Sequence, residues 1–175
     1  MESGEGMIDP HEIKDIASAY AEENSEFSVF LKSRAKPDEL DRHFRDLHNE
    51  IFIRDAYDCC ACANCCRRYT IRIEQDDILP IAELLGQSES DFVKSYLMQD
   101  PEESGVFSIK AIPCPFLDTE GRCRIYEARP LVCRDFPHTK KAGRLFHLSG
   151  IMGFAEDCPV VFEIFARLKK LYDFV

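Results

Sequence analysis

The apolar positions divide the chain into a helical N-terminal third, a middle of short elements and a closing helix. Asp9-Pro10-x-Glu12 offers an N-cap, a proline at the first helical position and the return carboxylate of a capping box, with Ile8 and Ile13 at the staple positions. Ile13, Ile16, Ala17 and Tyr20 continue that apolar face. A second helix is expected from Phe27 to about Ala35. Leu40, Phe44, Leu47 and Ile51 step by four, three and four residues, which predicts a longer helix from Pro37 towards Tyr57. His43 and His48 fall within it and read as packed or solvated histidines.

Beyond a cysteine-rich loop, Tyr69 to Ile73 reads as a short strand. Asp76 to Leu85 reads as a helix stopped by Gly86, with Pro80 near its first turn or bending it. Ser88-x-x-Asp91 resembles a capping box that opens a helix to about Met98. Val106 to Ala111 is a candidate strand, Leu117 to Gly121 a turn, and Cys123 to Tyr126 the returning strand. Arg129-Pro130 begins a short turn carrying Cys133. Pro159 to Tyr172 closes the chain as a helix, with Val161, Ile164, Phe165, Leu168 and Leu171 on one stripe and Lys169 and Lys170 near its C-terminus. These elements predict a mainly helical α+β single domain, with short strands and a cysteine-rich metal-binding core. Residues 1–36 would form a helical extension and residues 37–175 the cysteine-cluster domain.

Composition adds constraints. With 45% apolar and 31% charged residues, the chain has what an ordinary globular protein needs to bury a core. No stretch approaches the ~20 apolar residues of a membrane span. The start, Met1 to Asp9, is acidic and lacks the pattern of a secretory signal. Nine cysteines are an odd number for a disulfide framework, so a reducing, cytoplasmic setting with thiols available to metal is the expectation. A net charge of −10 gives no general attraction to nucleic acid or anionic lipid. From Arg122 to Arg144, however, seven basic residues stand against Glu127 and Asp135, a local +5 that leaves −15 for the rest. The island could meet an acidic partner. Because Cys123 and Cys133 lie inside it, compensation of an anionic metal site is the preferred reading.

The chemistry lies in the cysteines. Cys59, Cys60, Cys62, Cys65 and Cys66 crowd into eight residues, and four of them spell C-x-x-C-x-x-C-C. Cysteine used as a small hydrophobe has no reason to cluster, whereas a metal needs several thiolates within a few ångströms. Cys114, Cys123, Cys133 and Cys158 follow. With Cys59, Cys62, Cys65 and Cys66 they make eight candidate ligands, enough for two four-thiolate sites or for one cluster with spare thiols. In an extended segment, adjacent Cys65 and Cys66 would face apart, so either they reach two different metals or one ligates while the other bridges, packs or is spare. Thiolate-rich sites exclude calcium and magnesium and select zinc, iron–sulfur or copper(I). Zinc and an iron–sulfur cluster such as 4Fe-4S both accept four thiolates, so the choice, and one site or two, stays open. Four thiolates on one Zn²⁺ leave a net −2. Arg67, Arg129 and Arg134 are the candidate donors to the sulfurs or to nearby carbonyls. Cys60 falls outside the motif spacing.

The C-x-x-C-x-x-C-C motif, the Cys114 block, Ile125-Tyr126-x-x-Arg129-Pro130 and Cys133-Arg134-x-Phe136-Pro137 together resemble the YkgJ-type CxxCxxCC cysteine-cluster family, considered zinc- or iron-chelating. The resemblance spans well over half of the chain. It implies a metal ion as the partner, while the net charge and the lack of an apolar span lead to the expectation of no nucleic acid and no membrane partner. The flagellin lysine N-methylase is a distant relation by motif, which implies that some members support enzymes. This chain departs from the family at Cys60, an extra thiol, and at Ala63-Asn64, which replaces the common Gly-Ala.

Other chemistries are less well supplied. A nucleophilic cysteine needs a paired base, and nothing joins His138 or His147 to one cysteine. His138 as an added ligand is weaker than His138 as a surface residue. A thioredoxin-like C-x-x-C expects a strand before it, and no phosphate loop or G-x-G-x-x-G is present. The expected function is therefore metal or iron–sulfur binding in a mainly structural role. The alternatives are an iron–sulfur-dependent enzyme or electron carrier, lysine N-methylase-like, and metal storage or delivery.

Overall fold

The structure, a computed structural model, describes residues 7–174. The acidic start at residues 1–6 lies outside them. The fold is mainly helical α+β, with one small antiparallel sheet. The chain divides into two compact units, one made of residues 1–58 and 137–175 and the other of residues 59–136.

The first unit is all helix. Helix α1 spans Ile13–Ala19 and α2 Ala21–Arg34. Asp9 caps a turn ahead of α1, accepting the His11 N–H at 2.8 Å, so the helix starts later than the proline suggests. Helix α2 begins six residues before the expected start. Its buried face is Asn24, Phe27, Ser28 and Leu31, at helical spacing, and the two polar members hide the stripe from an apolar count. Helix α3, Pro37–Asn49, passes into a π-helical turn at Glu50–Arg54. Leu40, Phe44 and Ile51 on its stripe are fully buried. The last helix of this unit packs its Phe165 ring edge-on to Phe44, with centroids 5.8 Å apart. That helix is Pro159–Leu171. Its expected stripe is buried through Leu168, while Leu171 remains 53% exposed. Arg167 fastens it, donating to Glu163 at 2.8 Å, Glu50 at 2.9 Å and Asp55 at 2.7 Å.

The second unit begins with two single-turn helices, α4 (Cys59–Cys62) and α5 (Asn64–Arg68), where a loop was expected. Strand β1 (Arg72–Glu74) follows, then α6 (Gln75–Leu84) and α7 (Glu89–Tyr96). A reciprocal Glu74–Asp77 capping box opens α6, and the expected Ser88–Asp91 pair opens α7, the Asp91 N–H reaching Ser88 Oγ at 3.1 Å. Gly86, at φ +66, closes α6 with the paired bonds of a Schellman cap: Gly86 N–H to Glu83 C=O and Gln87 N–H to Ala82 C=O, each 3.0 Å. The chain straightens at Leu97 rather than continuing the helix, and β2 (Leu97–Gln99) pairs with β3 (Val106–Ile109). Strand β3 is central, in the order β1-β3-β2, and Phe107 sits opposite both Ile73 and Gln99. The returning strand expected at Cys123 to Tyr126 is a single bridge between Leu117 and Cys123, followed by a 3₁₀ turn at Tyr126–Ala128. Helix α8 (Leu131–Asp135) carries Cys133. Back in the first unit, α9 (Leu148–Met152) was not foreseen, and the helix at Pro159–Leu171 is α10. Among the described residues, no helix is long and apolar enough to cross a membrane.

Of the two histidines on α3, His48 is the buried one. Its Nδ1 lies 2.7 Å from the hydroxyl of buried Thr139, and its ring packs against Phe52. Burial, with the nearby charge of Lys140, lowers its pKa from 6.5 to about 4. Between those values the unfolded chain takes up a proton that the folded chain refuses. Stability is therefore full above pH 6.5 and falls as the pH drops towards 4. We expect acid titration of the melting temperature to show this loss in the wild type, on the order of 2 kcal/mol, and His48→Gln to flatten it. Parallel curves for the two proteins would remove the assignment.

Candidate metal centre

The site is built from two pieces of the second unit. The first is the pair α4 and α5, joined at Ala63 in the left-handed region at φ +50. This reversal separates two short turns, with Ala63 N–H bonded to Cys59 C=O at 2.9 Å and Arg67 N–H to Ala63 C=O at 3.2 Å. Cys62 is buried at the end of α4, and Cys59, Cys65 and Cys66 are half-buried. A φ near +50 suits glycine best, so the glycine common at this position in the resembled family has a conformational reason here.

The second piece is a tight hairpin at residues 114–125. Cys114 stands on one arm and Cys123 on the other. Asp118 organises the tip: its carboxylate accepts the N–H groups of Glu120 and Arg122 at 2.9 and 2.8 Å. Gly121 N–H closes on Asp118 C=O at 3.1 Å. Beneath the hairpin lies the unit's core, which includes Ile73, Ile81, Phe92, Phe107, Phe116 and Ile125, with Cys114 and Cys123 packed against it. Phe116 stacks on Phe92 with centroids 5.9 Å apart and meets Tyr96 at 5.1 Å.

The two pieces are tied through main chain. Cys114 N–H donates to Cys66 C=O at 2.8 Å. The thiols of Cys114, Cys123 and Cys133 lie within electrostatic reach of Cys66 and of one another. Cys65 Sγ is 4.0 Å from Cys66 Sγ. Adjacency was expected to turn these two sulfurs apart. The helical turn of α5 instead places successive side chains on neighbouring faces. Cys60, outside the motif spacing, acts on Cys123. Cys158 belongs to the first unit, buried at the N-terminal edge of α10, where its N–H bonds to Phe154 C=O at 2.8 Å. Among the described residues no disulfide joins any two cysteines, and no three Cys, His, Asp or Glu side chains converge as a ready-made coordination shell.

The surroundings of Cys66, Cys114, Cys123 and Cys133 favour the neutral thiol. The hydrogen bond with Cys65, and then burial, push the Cys66 thiol well above the usual range, while Arg67 and Arg129 pull against this. Burial pushes Cys114 up to about 11 and Cys133 up to about 12, and it raises Cys123 as well. Against that trend, the backbone amides of Phe116 and Leu117 pull the Cys114 thiol down, and that of Ile125 pulls down Cys123. Both effects favour the thiolate. In donor chemistry the set fits a thiophilic cation: soft sulfurs with guanidinium groups alongside.

The three candidate arginines differ. Arg67 Nη1 donates to Cys62 C=O at 2.7 Å, linking the end of α4 to α5. The Arg129 guanidinium lies over the Tyr126 ring, 3.7 Å from its centroid, and its charge reaches Cys66, Cys123 and Cys133. Arg134 is exposed on α8. Within the basic island, Arg144 belongs to the first unit and is buried there. Its backbone N–H bonds to Asp41 at 2.8 Å and its side chain to His138 C=O at 2.9 Å. His138 also lies in that unit, near Phe154, and His147 is exposed.

Sequence reading missed Gly121 as more than a turn residue. It is buried at φ +82, and a Cβ there would stand 3.1 Å from Arg67 Nη2. Glycine thus leaves room for the guanidinium. The only sequence signal was its place at the end of Asp-Thr-Glu-Gly.

The model of the CxxCxxCC family, described as a "Putative zinc- or iron-chelating domain", matches residues 58–159, more than half of the chain. The chain belongs to this family. No curated protein and no solved structure matches it. The CxxCxxCC match opens one residue before Cys59 and closes one after Cys158, so it encloses all nine cysteines.

Two substitutions test the local geometry. Ala63→Gly should raise stability by about 1 kcal/mol, since it relieves a left-handed alanine. A lower urea midpoint for Ala63→Gly would contradict the assigned turn. Gly121→Ala should lose about 1–2 kcal/mol through its positive φ and push Arg67 away from the Cys62 carbonyl. An unchanged midpoint for Gly121→Ala would show that the site tolerates a side chain there.

Proposed function

We propose that this protein holds zinc or an iron–sulfur cluster through thiolates drawn from Cys59, Cys62, Cys65, Cys66, Cys114, Cys123, Cys133 and Cys158. In this reading the centre's main role is to hold the second unit together. The observation that carries the reading is the hydrogen bond from Cys114 N–H to Cys66 C=O at 2.8 Å, which sets a cysteine from nearly fifty residues away against the double cysteine. A core built for packing alone would place apolar side chains there.

Arg67 and Arg129 are the proposed compensating charges, because both act on Cys66. Arg134 is proposed as an outer donor to the same region, reached from α8. When bound, a metal supplies a cross-link among segments that have little regular structure of their own. Helices α4 and α5 are single turns, and β1 and β2 have three residues each. Such elements are marginal without tertiary support. The aromatic core supplies part of that support from below, and thiolate bonds would supply the rest from above.

The proposed setting is the cytoplasm, where reducing conditions keep the sulfurs available. The experiment is metal removal. A strong chelator under reducing conditions should lower the melting temperature and loosen protection of backbone amides over residues 59–136. An unchanged melting curve after the metal content has fallen to zero would overturn the structural role. Colour separates the two metals: a brown protein bleached by dithionite marks iron–sulfur, and a colourless protein with bound zinc marks the other.

A further inference from the structure

The basic island is shared between the two units. Its arginines from Arg122 to Arg134 fall in the second unit, while Lys140, Lys141 and Arg144 fall in the first, and the proposed metal centre makes no use of these three. From Phe136 to Ala155 the chain has no acidic residue, although 32 of its 175 residues are Asp or Glu. Such a run sets a local field opposite in sign to that of a chain with net charge −10.

The segment is pinned to α3. Asp41 accepts the N–H groups of Gly143 and Arg144 at 2.7 and 2.8 Å, and Thr139 is tied to His48 at 2.7 Å. The buried Arg144 side chain turns back on the loop, donating to His138 C=O at 2.9 Å and to Ala142 C=O at 3.2 Å. Gly143, at φ +78, then reverses the chain into a 3₁₀ turn, Arg144–His147, that runs on into α9. Helix α9 buries Leu148 and Ile151. On the outer side this leaves Phe146 78% exposed, with His147 beside it and Lys140 and Lys141 on the loop. Helix α2 extends the same surface. Lys32 Nζ stands 3.5 Å from Ser149 Oγ, and Val29, 66% exposed, lies one turn before Lys32. Burying a guanidinium is costly, and here it fixes a loop whose outer side carries cations and large apolar side chains. A rigid aromatic anchor among charges of one sign is how a recognition surface is built.

We propose that this face of the first unit docks an acidic segment of a partner protein, whose carboxylates pair with Lys32 and Lys140 and whose apolar side chain covers Phe146. Charge selects the occupant. Setting aside Lys32, Lys140 and Lys141 leaves −13 on the rest of the chain, so an extended polyanion, whether nucleic acid or anionic bilayer, meets repulsion beyond the face. A short segment feels chiefly the charges within the screening length of ~8 Å. Glu26, one turn before Val29 on α2, marks the acidic border of the surface. Covering Phe146 supplies the part of the affinity that salt leaves untouched, and the lysines supply approach and orientation.

The test is a nuclear magnetic resonance titration of the isotope-labelled full chain, as purified, with a short glutamate-rich peptide carrying one central phenylalanine. Its lysine-rich counterpart is the control. Amide signals of residues 140–149 and of Val29 to Ser33 should move with the acidic peptide and stay in place with the control. Lys32→Glu/Lys140→Glu should weaken binding about tenfold, and so should Phe146→Ser. Added salt should weaken the wild type while preserving the difference made by Phe146→Ser. All three side chains are exposed, so melting temperatures at neutral pH should match the wild type. No movement at millimolar peptide, or movement confined to other residues, would overturn the proposal. Tighter binding of a single-stranded oligonucleotide or of anionic phospholipid vesicles through these residues would also overturn it, as would self-association abolished by Phe146→Ser. Metal content does not enter the readout, so failure of the proposed metal centre and failure of this surface are separate results.

Discussion

One main-chain hydrogen bond, from Cys114 N–H to Cys66 C=O at 2.8 Å, decides whether the two halves of the cysteine set meet. On one side of it stand α4 and α5 with the first five cysteines, and on the other the hairpin with Cys114 and Cys123. Neither piece is long enough to define itself. The hairpin is shaped by Asp118, whose carboxylate satisfies two N–H groups at the tip, and α5 by the left-handed reversal at Ala63. Arg67 then spans the junction, bonded to the Cys62 carbonyl and seated where Gly121 has no side chain. A single guanidinium thereby couples the C-x-x-C turn, the double cysteine and the turn before Cys123. This couples the shape of the backbone to the charge of the site.

The aromatic layer below gives that junction a fixed floor. Phe116 and Ile125 each follow a hairpin cysteine by two residues and are buried to 1% exposure, so the same short arms that carry sulfur also anchor the core. Phe92 and Tyr96 from α7 clasp Phe116, and β3 ties that layer to β1 and β2. Displacing a hairpin arm would disturb packing and ligands together. This is why a small unit can hold cysteines from distant positions with so little regular structure.

Much of this was legible in the sequence where one rule acted alone. The α3 and α10 stripes, the Ser88 cap and the Gly86 stop are local patterns, and each appears as expected. The clustered cysteines and the family resemblance were equally readable, since spacing and residue type carry them. Errors arose where tertiary context overrode a local signal. Asn24 and Ser28 are buried polar residues on α2, so an apolar count began the helix too late. Leu97 left the helix because β3 offers it a strand partner, which no window around Leu97 reveals. The adjacent cysteines were read as extended chain, and the helical turn of α5 reversed the conclusion about which way their sulfurs face. Arg134, chosen for following Cys133 directly, lies exposed, while Arg129, four residues before Cys133, acts on three of the thiols. Nearness in sequence was the wrong guide there, because on α8 the side chain next to an inward sulfur points elsewhere.

Burial and charge at this site push in opposite directions, and their balance explains why sulfur was placed there at all. Removing Cys66, Cys114 and Cys133 from water favours the neutral thiol, and crowding them together favours it further, because a first thiolate repels the next. Two arginines are too few to reverse this for a whole set of sulfurs. The proposed metal centre would reverse it. The desolvation that penalises a bare thiolate strengthens its attraction to an ion, and the repulsion among neighbours becomes shared coordination. In the proposed function, the apolar floor under Cys114 and Cys123 would thus favour ion binding over ionisation. Arg67 and Arg129 would then need to offset only the net charge left on the proposed centre, a task that two guanidinium groups can meet.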